Sequence, residues 1–255
     1  MIFDSHAHYD DEAFDNDRDE VIASIKEQGI VGVLNCGSSM EGAIKSLELS
    51  KKYDFFYSAL GIHPEYADKI IDNDLDKIVD LCKYEKVKAI GEIGLDYYYE
   101  ENPSRKIQKQ TFINQMEIAK KLDLPVVLHI REAFSDSLEI IKMFPEVHGV
   151  VHCFSGSEEF AKECIKRGYY IGFTGVVTFK NAKKVLDVAK YVPLDRMLVE
   201  TDCPYMAPVP FRGKRNYSPY IKYIIEKLSE VKGINSKEME YITISNSKNL
   251  LNILK

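Results

Sequence analysis

Short runs of apolar residues alternate along the chain with longer segments in which apolar side chains recur every three or four positions. The short runs are rich in Val, Ile, Phe and Tyr, which is typical of β-strands. The longer segments have the period of helices that pack one face on a sheet. The pattern therefore predicts eight strands, near residues 1–6, 30–35, 55–61, 87–93, 125–130, 148–153, 169–174 and 196–201.

Each predicted strand is followed by a predicted helix, and this alternation indicates a parallel sheet. Phe112, Met116, Ala119 and Leu122, for example, have the spacing of a crossover helix. In a chain of 255 residues, eight such units favour an α/β fold closed into a (β/α)8 TIM-like barrel, a single domain over residues 1–255. A doubly wound open sheet is the alternative. Two further helices, around 218–232 and 236–253, are expected to close the barrel.

Composition narrows the function classes. A hydrophobic content of 45% with 29% charged residues indicates a globular protein with a large core. The net charge of −6 argues against a protein that coats duplex DNA, although a small phosphate-binding cleft stays possible. We expect a cytoplasmic protein without a membrane span. The five cysteines include no C-x-x-C pair, there is no room for a signal peptide, and no apolar run is long enough to cross a bilayer.

Ionisable side chains occur late in several predicted strands, where barrel active sites are assembled. Alternation within a strand predicts which of them face the barrel interior. It groups Asp4 with His6 and His8, Ile90 with Glu92, and Arg131 with His129. Burying so many imidazoles and carboxylates together is costly unless a cation compensates them. We therefore predict a metal site formed by six residues, namely His6, His8, Glu92, His129, His152 and Asp202.

These nitrogen and oxygen ligands disfavour a closed structural zinc and indicate a catalytic site for Zn, Mn, Mg, Fe or Ni. Six ligands exceed what one tetrahedral ion needs, but they suit two ions that share a carboxylate. We predict His6, His8 and Asp202 on one ion, His129 and His152 on the other, and Glu92 between them. A bridging water would be the nucleophile and Asp202 its proton acceptor, so Glu92 and Asp202 are the predicted catalytic residues.

Substrate contacts are predicted from residues near the same rim: His63, Arg131, Arg212, Lys214 and Arg215. The arginines suit phosphate oxygens. The alternatives are a structural hydrogen bond for His63 and a solvated loop for the basic cluster. Asp96 and Tyr97 are close enough in sequence to reach the rim.

Glu200 lies one layer deeper than Asp202 and is expected to support a ligand through a hydrogen bond.

Several stretches resemble the TatD family of metal-dependent deoxyribonucleases. They are Asp4-Ser5-His6-Ala7-His8, Gly61-Ile62-His63-Pro64, Gly91 to Tyr97, Pro125 to Arg131, His152 to Gly156, and Glu200 to Tyr205. The resemblance spans the chain and implies a TIM-like barrel, one or two divalent metal ions (Mg, Mn or Zn) and the same six ligands. It also implies hydrolysis of DNA phosphodiesters, often as a 3′–5′ exonuclease. Single-stranded DNA or DNA ends would be the substrate, with no obligatory protein partner. The chain departs from the family at 213–219, which lacks the glutamate of the usual Arg-Asn-Glu-Pro.

Two other functions remain open because a fold and a metal set do not choose the substrate. The same barrel could hydrolyse another ester or amide, such as a lactone, a phosphotriester or a misacylated tRNA. Alternatively, it could bind metal or nucleic acid without turnover.

Overall fold

The computed structural model describes residues 1–71 and 73–253. Its strands are β1 (Ile2–Ala7), β2 (Ile30–Gly37), β3 (Phe56–Leu60), β4 (Val87–Asp96), β5 (Val126–Arg131), β6 (Gly149–Val151), β7 (Tyr170–Phe173) and β8 (Met197–Val199). Its α-helices are α1 (Arg18–Glu27), α2 (Met40–Lys52), α3 (Asp74–Leu81), α4 (Arg105–Leu122), α5 (Phe134–Met143), α6 (Glu158–Lys166), α7 (Lys183–Tyr191), α8 (Ile221–Lys232) and α9 (Ser236–Leu250). The eight predicted strands and the two last helices are confirmed.

The strands form one parallel sheet in the order β1 to β8. Its two edges meet, because Ala7 and Cys203 form a parallel bridge just beyond β8. The backbone N–H of His8 also donates to the Cys203 carbonyl at 2.9 Å. The predicted barrel is therefore confirmed and the open sheet is rejected.

Two apolar layers hold the barrel. A small interior cluster brings together side chains from strands all around the sheet, among them Phe3, Leu34, Val127 and Leu198. A larger layer lies between the sheet and the helices, and there α4 buries Phe112, Met116 and Ala119, as its period predicts. Among the described residues no helix combines the length and apolarity needed to cross a membrane.

The predicted alternation is wrong in β1. Two residues of β1, Ser5 and His6, lie opposite one residue of β2, Leu34, since Asp4 pairs with Val33 and Ala7 with Asn35. This β-bulge changes which face the following side chains take. The carboxylate of Asp4 consequently accepts hydrogen bonds from Thr201 and from Ser218 in the turn before α8, at 2.6 and 2.7 Å, instead of facing inward with His6.

A second irregularity corrects the prediction for β4. Ile90 pairs with Val126 and Ile93 with Leu128, so β4 again carries one extra residue. Ile90 and Ile93 both pack in the layer beneath the helices, and Ile90 does not share the face of Glu92. In β5 the predicted alternation holds, because Val126, Leu128 and Ile130 pack outward and leave His129 on the inner face.

Candidate metal centre

The six predicted ligands converge at the carboxyl end of the barrel. Glu92, only 3% exposed, lies at their centre. Its Oε2 is 3.5 Å from His6 Nε2 and 3.4 Å from His8 Nε2. Its Oε1 is 2.9 Å from His129 Nδ1 and 2.7 Å from His152 Nε2. The two oxygens of one carboxylate therefore face two different histidine pairs, which is the division that the sequence predicts.

Asp202 completes the first group. Its Oδ1 lies 3.5 Å from His6 Nε2 and 3.6 Å from His8 Nε2. The two imidazole nitrogens are themselves 2.9 Å apart. Asp202 has a positive φ of 57°, a backbone conformation that is uncommon for non-glycine residues.

Hydrogen bonds on the far side of His8 and His129 fix the direction of their lone pairs. His8 Nδ1 donates to the Cys36 carbonyl at 2.7 Å, and His129 Nε2 donates to Asp96 Oδ2 at 3.0 Å. His152 Nδ1 lies 3.6 Å from Glu200 Oε1. Each ring therefore turns its other nitrogen towards Glu92. Metal-binding histidines in proteins are oriented in the same way.

The electrostatics also fit a cation. Burial alone would raise the pKa of Glu92, but the charge of His152 and the hydrogen bond with His129 outweigh it and hold that pKa well below its ordinary value. Glu92 is thus a buried, ionised carboxylate. Because imidazole nitrogens and carboxylate oxygens suit Zn²⁺, Mn²⁺ and related ions, the residues present fit a divalent metal.

His63 differs from the other four histidines. Its Nε2 lies 3.7 Å from Glu92 Oε1, but its Nδ1 accepts a hydrogen bond from the Glu65 backbone N–H at 3.2 Å. Burial and the neighbouring charge of His129 lower the pKa of His63 to about 3. The ring is therefore neutral with its proton on Nε2. It presents a hydrogen-bond donor to the site, where a ligand would present a lone pair.

A cavity of about 700 Å³ opens above these residues. His63 and Arg131 line it, as predicted for substrate contacts. The Arg131 guanidinium stacks on the rings of Tyr98 and Tyr99, 3.9 and 4.8 Å from their centroids. The volume is within the range of small-molecule sites in proteins.

The other three predicted substrate contacts line a separate, open depression beside this cavity: Arg212, Lys214 and Arg215. Arg215 forms two hydrogen bonds with the Asp17 carboxylate, at 2.6 and 2.8 Å. The Arg212 guanidinium lies 4.4 Å from the centroid of the Phe179 ring. The depression and the cavity share Asp11, Tyr205 and Met206, so the two continue into each other.

Supporting residues were only partly foreseen. Asp96 and Glu200 lie beside ligand histidines, as expected, whereas the Tyr97 hydroxyl donates to Asp136 at 2.8 Å. The sequence analysis missed Lys184, which lines the cavity and donates to the Ser155 carbonyl at 3.0 Å. The sequence pattern of a helix does not show where a lysine side chain points, so the position of Lys184 at the cavity is evident only from the structure.

Comparisons with known proteins agree with this geometry. The profile of the family described as TatD related DNase matches residues 3–252. A Bacillus subtilis protein, the uncharacterized metal-dependent hydrolase YabD, is 44% identical, with 99% of this chain and 100% of the relative covered. The crystal structure of YjjV, a TatD homologue from Escherichia coli K12, superimposes with a TM-score of 0.92 at 30% identity, covering 99% and 98% of the two chains.

A more distant relative has a named activity. The 3′–5′ ssDNA/RNA exonuclease TatD of Salmonella typhimurium is 28% identical to this chain, with 99% of the chain and 100% of the relative covered. The whole-chain match to one family, together with the geometry of the six ligands, leads to a single assignment. The chain belongs to the TatD family and is a metal-dependent hydrolase.

Proposed function

We propose that this protein is a nuclease that hydrolyses phosphodiester bonds of single-stranded DNA and shortens the strand from its 3′ end. One observation carries the proposal: Glu92 faces two histidine pairs at the floor of a cavity that also holds Arg131. Paired cations beside an arginine suit a phosphodiester, whose negative charge must be held and offset. The activity named for the Salmonella relative supports the same substrate class.

In this proposal, His6, His8 and Asp202 would hold one divalent cation, Mg, Mn or Zn, and His129 and His152 would hold a second. Glu92 is shared between the two groups. Bound cations at such a site lower the pKa of a coordinated water and offset charge on the phosphoryl group.

The chain's own side chains supply the remaining steps. Burial raises the pKa of Asp202, but its contact with His8 and the charge of His152 outweigh this, and its pKa is lower than usual. Asp202 is thus ionised and would accept the proton of the attacking water. As the P–O bond to the leaving sugar oxygen breaks, that oxygen takes up the proton. Arg131 pairs with the phosphate oxygens, and His63 donates its Nε2 proton to an oxygen of the scissile phosphate. Arg212 and Lys214 contact a longer strand in the neighbouring depression. Arg215 anchors the loop that carries them to Asp17.

Labelled single strands test the proposal. With Mn²⁺ or Mg²⁺, a linear strand labelled at its 5′ end should give a ladder of shortening products. A circular single strand of the same composition should stay intact, because it has no end. Cleavage of the circle would contradict 3′-end action, and absence of cleavage with Mn²⁺, with Mg²⁺ and with Zn²⁺ would refute the nuclease assignment.

Parallel assays separate the other two functions. Hydrolysis of a lactone, a phosphotriester or a misacylated tRNA, with no cleavage of DNA, would assign the same barrel to another bond. Tight binding of DNA or of Mn²⁺, without turnover at any metal concentration, would identify a binding module.

A further inference from the structure

Two tyrosines on the wall of the cavity keep much of their ring surface in solvent. Tyr99 is 46% exposed and Tyr205 is 55% exposed, although both line the cavity above the metal centre. Tyr99 follows β4, and Tyr205 follows β8. Because the eight strands run around the barrel in order, the fourth and the eighth lie on opposite sides. The two rings therefore border opposite walls of the same mouth.

Both rings are held in place from one side. The Tyr99 ring contacts the Arg131 guanidinium and packs edge-to-face against Tyr98, with the two centroids 4.8 Å apart. The Tyr205 hydroxyl donates to Asp11 Oδ2 at 2.8 Å. An exposed aromatic ring that its neighbours already orient loses little conformational entropy when a planar group stacks on it.

We propose that each of these tyrosines stacks on a nucleobase, one on either side of the scissile phosphate. The inference rests on the nuclease function proposed above and names how that site holds its substrate. Every base has an aromatic face, so stacking of this kind accepts any sequence. It is the usual way in which proteins hold single strands without reading them.

Abasic substrates test both stacking and position. Tyr99→Leu and Tyr205→Leu should each lower kcat/KM on a short single strand by about 5- to 150-fold, the effect of one base–aromatic stack. When the 3′-terminal base is absent, the loss caused by one of the two leucine substitutions should shrink to less than about twofold. The loss caused by the other substitution should shrink in the same way when the penultimate base is absent. Tyr99→Phe and Tyr205→Phe keep the rings and should recover most of the rate.

Tyr241→Leu is the matched control, because Tyr241 is 75% exposed on α9, next to the Glu240 that pairs with the N-terminus at the other end of the barrel. It should leave all substrates unaffected. Equal losses on complete and abasic strands would overturn the stacking inference. If both substitutions responded to the same base, the placement of one ring on either side of the scissile phosphate would be overturned. If the unaltered protein cleaved none of the strands, the nuclease proposal itself would fail, and the stacking inference with it.

Discussion

Replacing Glu92 with glutamine tests the shared carboxylate with a side chain of almost the same size. The carboxylate lies 2.7–3.5 Å from four imidazole nitrogens and is 3% exposed. Glutamine removes its charge and turns an N–H donor towards one of the histidine pairs, whose lone pairs must stay free for a cation. Two unit charges at ~4 Å interact by about 4 kcal/mol at an effective dielectric constant of ~20. At about 1.4 kcal/mol per factor of ten, we expect hydrolysis and metal affinity to fall roughly a thousand-fold.

The assay follows hydrolysis of a labelled single strand at fixed Mn²⁺, together with metal content after dialysis. Glu226→Gln is the control, since Glu226 is exposed on α8, outside the barrel. Circular dichroism with denaturant titration verifies that Glu92→Gln remains folded. A loss of activity below tenfold, or unchanged metal content in Glu92→Gln, would refute the shared-carboxylate reasoning.

Three further predictions follow from the same contacts. Asp96→Asn weakens the hydrogen bond that orients His129. The affinity for Mn²⁺, measured by calorimetric titration, should therefore fall about 10- to 100-fold. An unchanged affinity would show that Asp96 does not position His129. EDTA should abolish hydrolysis, and activity that survives chelation would exclude metal catalysis. EDTA should also lower Tm, because an ion at ~100 times its Kd stabilises the folded state by about 2.7 kcal/mol. Arg131→Leu should raise KM for single-stranded DNA more than tenfold while metal content is kept; a KM within twofold would remove Arg131 from substrate binding.

The architecture was predictable from the sequence because the signals for strands and helices are local. Each apolar run could be placed without knowing its neighbours, and short apolar runs between amphipathic helices have few topological solutions. The position of the ligands followed from the same signals. His129 and Asp202, for instance, occur at the ends of predicted strands, and the carboxyl ends of barrel strands meet at one rim.

The bulges in β1 and β4 could not be predicted, since they depend on how each strand pairs with the next. Strict alternation predicted that the side chains of Asp4 and Ile90 face the barrel interior. Because each strand carries one extra residue, both side chains lie on the outer face. His6 and Glu92 nevertheless face inward, because each lies within the irregular stretch, where alternation is interrupted. The inward prediction for these two ligands was therefore correct, although the alternation used to reach it does not hold there.

Loop residues were the least predictable part of the site. A basic cluster at 212–215 suggested phosphate contacts, but the ion pair between Arg215 and Asp17 connects residues distant in sequence and leaves no trace in either segment. Lys184, Tyr99 and Tyr205 reach the cavity through loops and helix ends whose directions depend on the closed barrel.

An anomalous-scattering map of crystals grown with Mn²⁺ tests the central claim most directly. We predict two peaks at the carboxyl end of the barrel. One should lie among His6, His8, Asp202 and Glu92 Oε2, and the other among His129, His152 and Glu92 Oε1. A map with no peak among these side chains, or with Mn²⁺ bound only elsewhere, would contradict the account.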